Sequence, residues 1–143
     1  MFSERGQGLI RWGIVLLALS VLDGFAIPIV ADPVLGLATH IQGLLNAFML
    51  LLIGLAWSRL ELGYLGSVVA YWGLVLGSFV TFGVQVACTV LEIGGSVFPI
   101  AGGSHMGTHL QEELVRRTVQ GSALITTIAI LVVAYGALKK PAI

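Results

Sequence analysis

Charge is scarce in this chain. Asp, Glu, Lys and Arg make up 10% of its 143 residues, against roughly 25% in a soluble domain. Seven basic residues balance seven acidic ones. No basic run or stacking pattern gathers them, so nucleic acid is excluded as a partner. Cysteine is almost absent. Cys88 stands alone, which excludes an internal disulfide. It also excludes a CxxCH covalent haem site and any all-cysteine iron–sulfur cluster within one chain. No internal repeat or low-complexity segment is evident.

What is abundant is apolar. Hydrophobic residues form 57% of the chain, and the mean hydropathy is +1.02. A bilayer core needs about 20 mostly apolar residues per helix. Four segments qualify, at about 8–30, 33–57, 62–91 and 113–138. The first is interrupted near Asp23-Gly24 and Pro28, and Pro33 suits the first turn of the second. Arg5 and Arg11 before the apolar run 14–22 resemble a signal peptide. No A-x-A site follows, so an uncleaved span is expected. The fold class is thus an all-α membrane protein, an up-down bundle of four transmembrane helices forming one domain over residues 1–143.

Basic residues set the expected orientation. Arg5, Arg11, Arg59, Lys139 and Lys140 fall on one side, Arg116 and Arg117 on the other. The first side should be cytoplasmic, with both termini inside and the Asp32 turn and long third loop outside. A bacterial inner membrane fits this arrangement.

Polar side chains interrupt the second span. Thr39, His40, Gln42 and Asn46 open it, and polar groups at membrane depth usually mark a site. Gly36, His40, Gly43 and Ala47 follow i, i+4, i+7, i+11 and share one face. The imidazole would then sit on a strip with little bulk, leaving room for something flat. The same glycines also read as packing notches, and His40 as a donor to a neighbouring helix. Gln42 and Asn46 are four apart and could bond each other or a ligand.

On the third span, Gly66, Ala70, Gly73 and Gly77 form a small-residue strip. Ser78, Thr81, Gln85, Cys88 and Glu92 form a small or polar stripe. Both suit helix seams, though Gln85 and Cys88 could line a pocket. The third loop is glycine-rich and holds His105 and His109. With Glu112 or Glu113 they could bind zinc if helical, but glycines oppose a helix before Thr108. A lid is the better reading. Thr108 and Gln111 would form a capping box. Glu112–Arg116 and Glu113–Arg117 would pair along the fourth helix.

The chain resembles the small four-helix membrane isomerases that include hydroxylaminobenzene mutases and styrene oxide isomerases. The resemblance rests on His40-x-x-Gly43-x-x-Asn46, on Gly54-Leu55-Ala56-Trp57 and on Leu65-Gly66-Ser67. It rests also on Phe98-Pro99-Ile100-Ala101-Gly102-Gly103 and Gln111-Glu112, and covers about 33–138. It implies a redox-neutral rearrangement: hydroxylaminobenzene to 2-aminophenol, or an aryl epoxide to an aldehyde. It implies haem b between subunits of a homotrimer, with His40 as axial iron ligand and Asn46 lining the pocket. The epoxide branch carries aspartate, asparagine and tyrosine on its third helix. This third span has neither aspartate nor asparagine, which favours the mutase branch.

On that reading a single histidine leaves one iron face open for Lewis-acid chemistry. Met49 and Met106 are alternative ligands at unsuitable depths. Gly36 and Gly43 would flank the cofactor. Asn46 would orient the substrate, Gln85 would hydrogen-bond it, and Tyr71, Trp72 or Phe79 would pack on the arene, or simply in the core. The competing class is a membrane anchor or transporter subunit, with His40, Gln42 and Asn46 as a polar relay.

Overall fold

The computed structural model describes residues 3–102 and 105–139. Gly103 of the third-loop motif and Lys140 of the charge count lie outside the described residues.

Every regular element among them is helical: α1 (Glu4–Ala26), α2 (Pro33–Ala56), α3 (Tyr64–Leu91) and α4 (His109–Leu138), with single 3-10 turns at Ile27–Ile29 and Trp57–Arg59. All four are long and apolar enough to cross a membrane. The chain is an integral membrane protein, as its composition predicts. Three of the four starts are capped by short polar side chains, α3 beginning instead after Gly63. Ser3 Oγ accepts from Gly6 N, and Asp32 Oδ1 accepts from Val34 N and Leu35 N at 3.0 Å each. These bonds satisfy donors that a helix start leaves open. Thr108 and Gln111 form the expected capping box. It starts α4 at His109, four residues before the span read from hydropathy. The expected break at Asp23-Gly24 does not occur: α1 runs through both residues and yields to the 3-10 turn that contains Pro28.

The helices alternate in direction. At one end, here the terminal end, Gly6 faces Gly54, and Glu61 N donates to Gly136 O at 3.0 Å. The Asp32 turn and the loop 92–108 lie at the opposite end, the loop end. α1 packs chiefly on α2, and α3 on α4. The main core joins Leu9 and Leu16 of α1, Leu50 of α2, Leu74 and Phe82 of α3 and Ala129 of α4. A smaller cluster of Leu35, Cys88, Ile93 and Val115 closes the loop end. Leu22, Leu52 and Leu131 are more than 60% exposed and face lipid.

Lipid is as apolar as these side chains, so helix contact depends on close packing rather than on water exclusion. The small-residue strip of α3 supplies it. A Cβ at Gly73 would come within 2.8 Å of the Ala129 side chain, and one at Gly77 would strike Thr126. The strip is the α3–α4 seam. In the polar stripe, Thr81 Oγ1 donates to Ser122 Oγ at 3.0 Å across the same seam.

Candidate functional site

His40 lies two turns into α2 and faces α1. Its Nδ1 is 2.7 Å from the Ser20 carbonyl oxygen. A carbonyl only accepts, so Nδ1 donates its proton, and the neutral tautomer with this bond carries its lone pair on Nε2. Nε2 has no hydrogen-bond partner among the described residues. The ring reaches α1 because residue 24 has no side chain: a Cβ at Gly24 would lie 2.8 Å from both Cε1 and Nδ1. Sequence reasoning missed Gly24 and Ser20. The Asp23-Gly24 pair was the available signal, but it reads as a helix break.

The imidazole borders a groove of about 370 Å³ lined by Val21, Gly24, Phe25, Ile27, Leu37 and His40. The walls are apolar apart from the ring. Phe25 is the aromatic residue brought to it, 77% exposed on the lipid side. Asp23 is half-buried beside the groove, and its Oδ2 has no hydrogen-bond partner.

The other expected site residues separate into three places. Gly36 and Gly43 do not leave space for a flat group. A Cβ at Gly36 would come to 3.1 Å from Val30 Cγ2, and Gly43 is filled by Ser20 Oγ and the Phe82 ring. Within one chain both act as packing notches. The polar face of α2 turns toward α3 instead. Gln42 Nε2 donates to Asn46 Oδ1 at 3.2 Å, as expected from their spacing, and Asn46 Nδ2 makes a long 3.5 Å contact with Ser78 O. Thr39 Oγ1 and Thr89 Oγ1 are 3.3 Å apart on the same seam. Gln85 is buried here with Oε1 unpartnered, as is Ser78 Oγ. Asn46 and Gln85 therefore share a polar seam on the side of α2 away from the His40 groove.

Tyr71 is at neither place. Its hydroxyl rests on Gly8 of α1, sixteen residues before the Gly24 that touches His40, or about 24 Å along the helix. Trp72 stacks edge-on against Tyr71, and Phe79 against Trp12. Within one chain the helix register thus places these aromatics away from His40, where Tyr71, Trp72 and Phe79 pack among themselves and on α1.

The zinc reading of the third loop also fails. No group of three or more His, Cys, Asp or Glu able to hold a metal ion occurs among the described residues. His105 reaches Asp32 and Glu92 at 3.9 and 3.6 Å. Glu113 pairs with Arg117 at 2.7 Å, as expected, but Glu112 does not pair with Arg116. Its buried carboxylate turns into the loop and accepts from Gly94 N, Ser96 N, Ser96 Oγ and Gly107 N at 2.6–3.1 Å. Four donors in a partly dry site hold a carboxylate better than one solvated guanidinium does. The loop is thereby pinned at both ends.

Four membrane-crossing helices and an intramembrane histidine with one ring nitrogen fixed and the other open define a class: small integral-membrane bundles with a site at the α1–α2 seam. The family model described as styrene oxide isomerase matches residues 6–138, and the chain belongs to that family. It is an isomerase. It is 33% identical over 140 residues to hydroxylaminobenzene mutase HabB of Ectopseudomonas oleovorans, covering 98% of this chain and 85% of the relative. It is 36% identical over 104 residues to hydroxylaminobenzene mutase HabA of the same organism, covering 72% and 76%. No solved structure matches. Family membership sets aside the anchor and transporter readings.

Proposed function

We propose that this isomerase rearranges a small aryl hydroxylamine within the membrane, converting hydroxylaminobenzene to 2-aminophenol. The observation that carries the reading is the His40 ring: Nδ1 bound to the Ser20 carbonyl, Nε2 without a partner, and an apolar groove alongside. The two mutases named above support the substrate.

His40 suits haem b. A metal-bound histidine ordinarily donates its other N–H to a carbonyl or carboxylate, which fixes its tautomer and strengthens it as a ligand. The Ser20 carbonyl plays that part. The groove is open toward lipid, so a planar group held by His40 would stand partly outside one chain. A second copy would cover it, and a homotrimer would satisfy this requirement. When bound, the haem iron would supply Lewis acidity toward the hydroxylamine oxygen.

The chain's own residues would do the rest. Val21, Phe25, Ile27 and Leu37 would keep bulk water from the electron-poor ring, favouring return of the hydroxyl to the arene over capture of solvent. Asn46 and Gln85, on the α2–α3 seam away from the groove, would act on this reading through the setting of α2 rather than by touching a substrate held at His40. Both termini, the α2–α3 turn and the basic Arg5, Arg11, Arg59 and Lys139 would face the cytoplasm of a bacterial inner membrane.

The aryl epoxide is the second substrate to assay, because the family takes its name from that reaction. The test is product analysis from purified protein given hydroxylaminobenzene or styrene oxide. Formation of 2-aminophenol by the wild type and not by His40→Ala is expected. An aldehyde from styrene oxide with no 2-aminophenol would reverse the assignment.

A further inference from the structure

A second groove lies at the terminal end, lined by Gly8, Arg11, Trp12, Val15 and Tyr71, with a volume of about 330 Å³. It shares no residue with the His40 groove, and its nearest residue on α1, Val15, is six residues or about 9 Å along the helix from Val21 of that groove. We propose that it binds the phosphate headgroup of an anionic membrane lipid.

Charge is the first reason. Arg11 makes no ion pair with a carboxylate among the described residues. An uncompensated guanidinium near hydrocarbon is costly, and its planar fork matches two oxygens of a phosphate. The other basic side chain on this part of α1 is engaged: Arg5 lies over the Tyr64 ring, 5.3 Å from its centroid.

Depth is the second. α1 and its 3-10 extension span 26 residues, or about 39 Å, against a hydrocarbon core of about 30 Å. Arg11 is seven residues in, about 10 Å from the helix start. The run 12–31 that follows, broken only by Ser20 and Asp23, is 20 residues or about 30 Å long, so Arg11 stands at the edge of a core of that length, where a long basic side chain extends toward phosphates. Trp12, 40% exposed, is the residue type found at this boundary.

The walls are the third. A Cβ at Gly8 would lie 2.6 Å from the Tyr71 hydroxyl. The bare glycine lets that phenol settle beside α1 in the same groove as Arg11. It has no hydrogen-bond partner among the described residues, and so offers a donor to a phosphate oxygen. Val15 and the Trp12 ring continue the groove as an apolar track for an acyl chain.

The test compares wild type, Arg11→Gln, Arg11→Lys and Arg59→Gln in mild detergent. Thermal midpoints are measured with added phosphatidylglycerol, phosphatidylcholine or inorganic phosphate, and retained lipid is read by native mass spectrometry. Phosphatidylglycerol should stabilise and remain bound to wild type in preference to phosphatidylcholine. Arg11→Gln should lose that preference, Arg11→Lys should keep part of it, and Arg59→Gln, at the same end but outside the groove, should keep it whole. Inorganic phosphate should shift nothing. No preference in the wild type would overturn the proposal. So would equal loss in Arg59→Gln, which would mean diffuse charge, or an equal shift from inorganic phosphate, which would mean a free-anion site.

Discussion

The Ser20 carbonyl oxygen lies 2.7 Å from His40 Nδ1, tying the loop-end thirds of α1 and α2 together through a histidine at membrane depth. The bond fixes which nitrogen is left for chemistry. It also explains why α1 carries a glycine at residue 24: any larger residue would drive the ring off its acceptor.

Gly24→Ala should therefore act through His40. The added methyl would meet Cε1 and Nδ1 at 2.8 Å. Loss of a ligand's orienting partner typically lowers metal affinity or activity about 10- to 100-fold. Activity should fall by that order while circular dichroism and the thermal midpoint stay near wild type. Unchanged activity would show that the ring position does not matter.

Gln85→Leu should separate function from stability. Gln85 Oε1 is buried without a partner, and an unsatisfied buried polar atom costs about 1–3 kcal/mol. The near-isosteric apolar side chain should raise the thermal midpoint and lower turnover. Asn46→Ala should lower turnover too, without the gain in stability. Full activity in both variants would remove the α2–α3 seam from the mechanism.

Glu112→Gln should loosen the loop end. The amide keeps one acceptor but turns an N–H toward donors at Ser96 or Gly94, now bound by carboxylate oxygens. Leaving one buried donor unpaired costs about 1–3 kcal/mol. The melting temperature should drop, and protease should cut within residues 93–107 faster than in wild type. Arg116→Gln, at an exposed position that does not touch Glu112, should have neither effect.

Gly77→Val tests the α3–α4 seam. Its side chain would run into Thr126, and overpacking typically costs about 1–3 kcal/mol. A lower melting temperature is expected, with the His40 groove, which uses only α1, α2 and the turn between them, unaffected. A melting temperature equal to wild type would mean that the seam tolerates bulk.

What could be read from the sequence was local. Hydropathy located the four spans, Thr108 and Gln111 announced their capping box, and the spacing of Gln42 and Asn46 predicted their bond. The glycine strip of α3 announced a seam without naming its partner. Apart from the break expected at Asp23-Gly24 and the early start of α4, the failures concern which helix face meets which neighbour, and at what height. Tyr71 looked suited to an aromatic substrate, but α3 runs opposite to α2 and puts that residue at the far end of the bundle. Gly36 and Gly43 shared a helix face with His40, yet Phe82, Ser20 and Val30 fill the notches. Glu112 sat four residues from Arg116, and only the folded loop supplies the four donors that draw it away. Gly24 gained its meaning solely from a ring contributed by another helix.

We propose that His40 holds a haem through its open nitrogen. The most direct test is the visible absorption spectrum of the protein purified in mild detergent, recorded beside that of His40→Ala. A Soret band in the wild type that is lost or shifted in the variant is the predicted result. A folded, colourless, haem-free wild type would contradict it and leave His40 as a packing donor to Ser20.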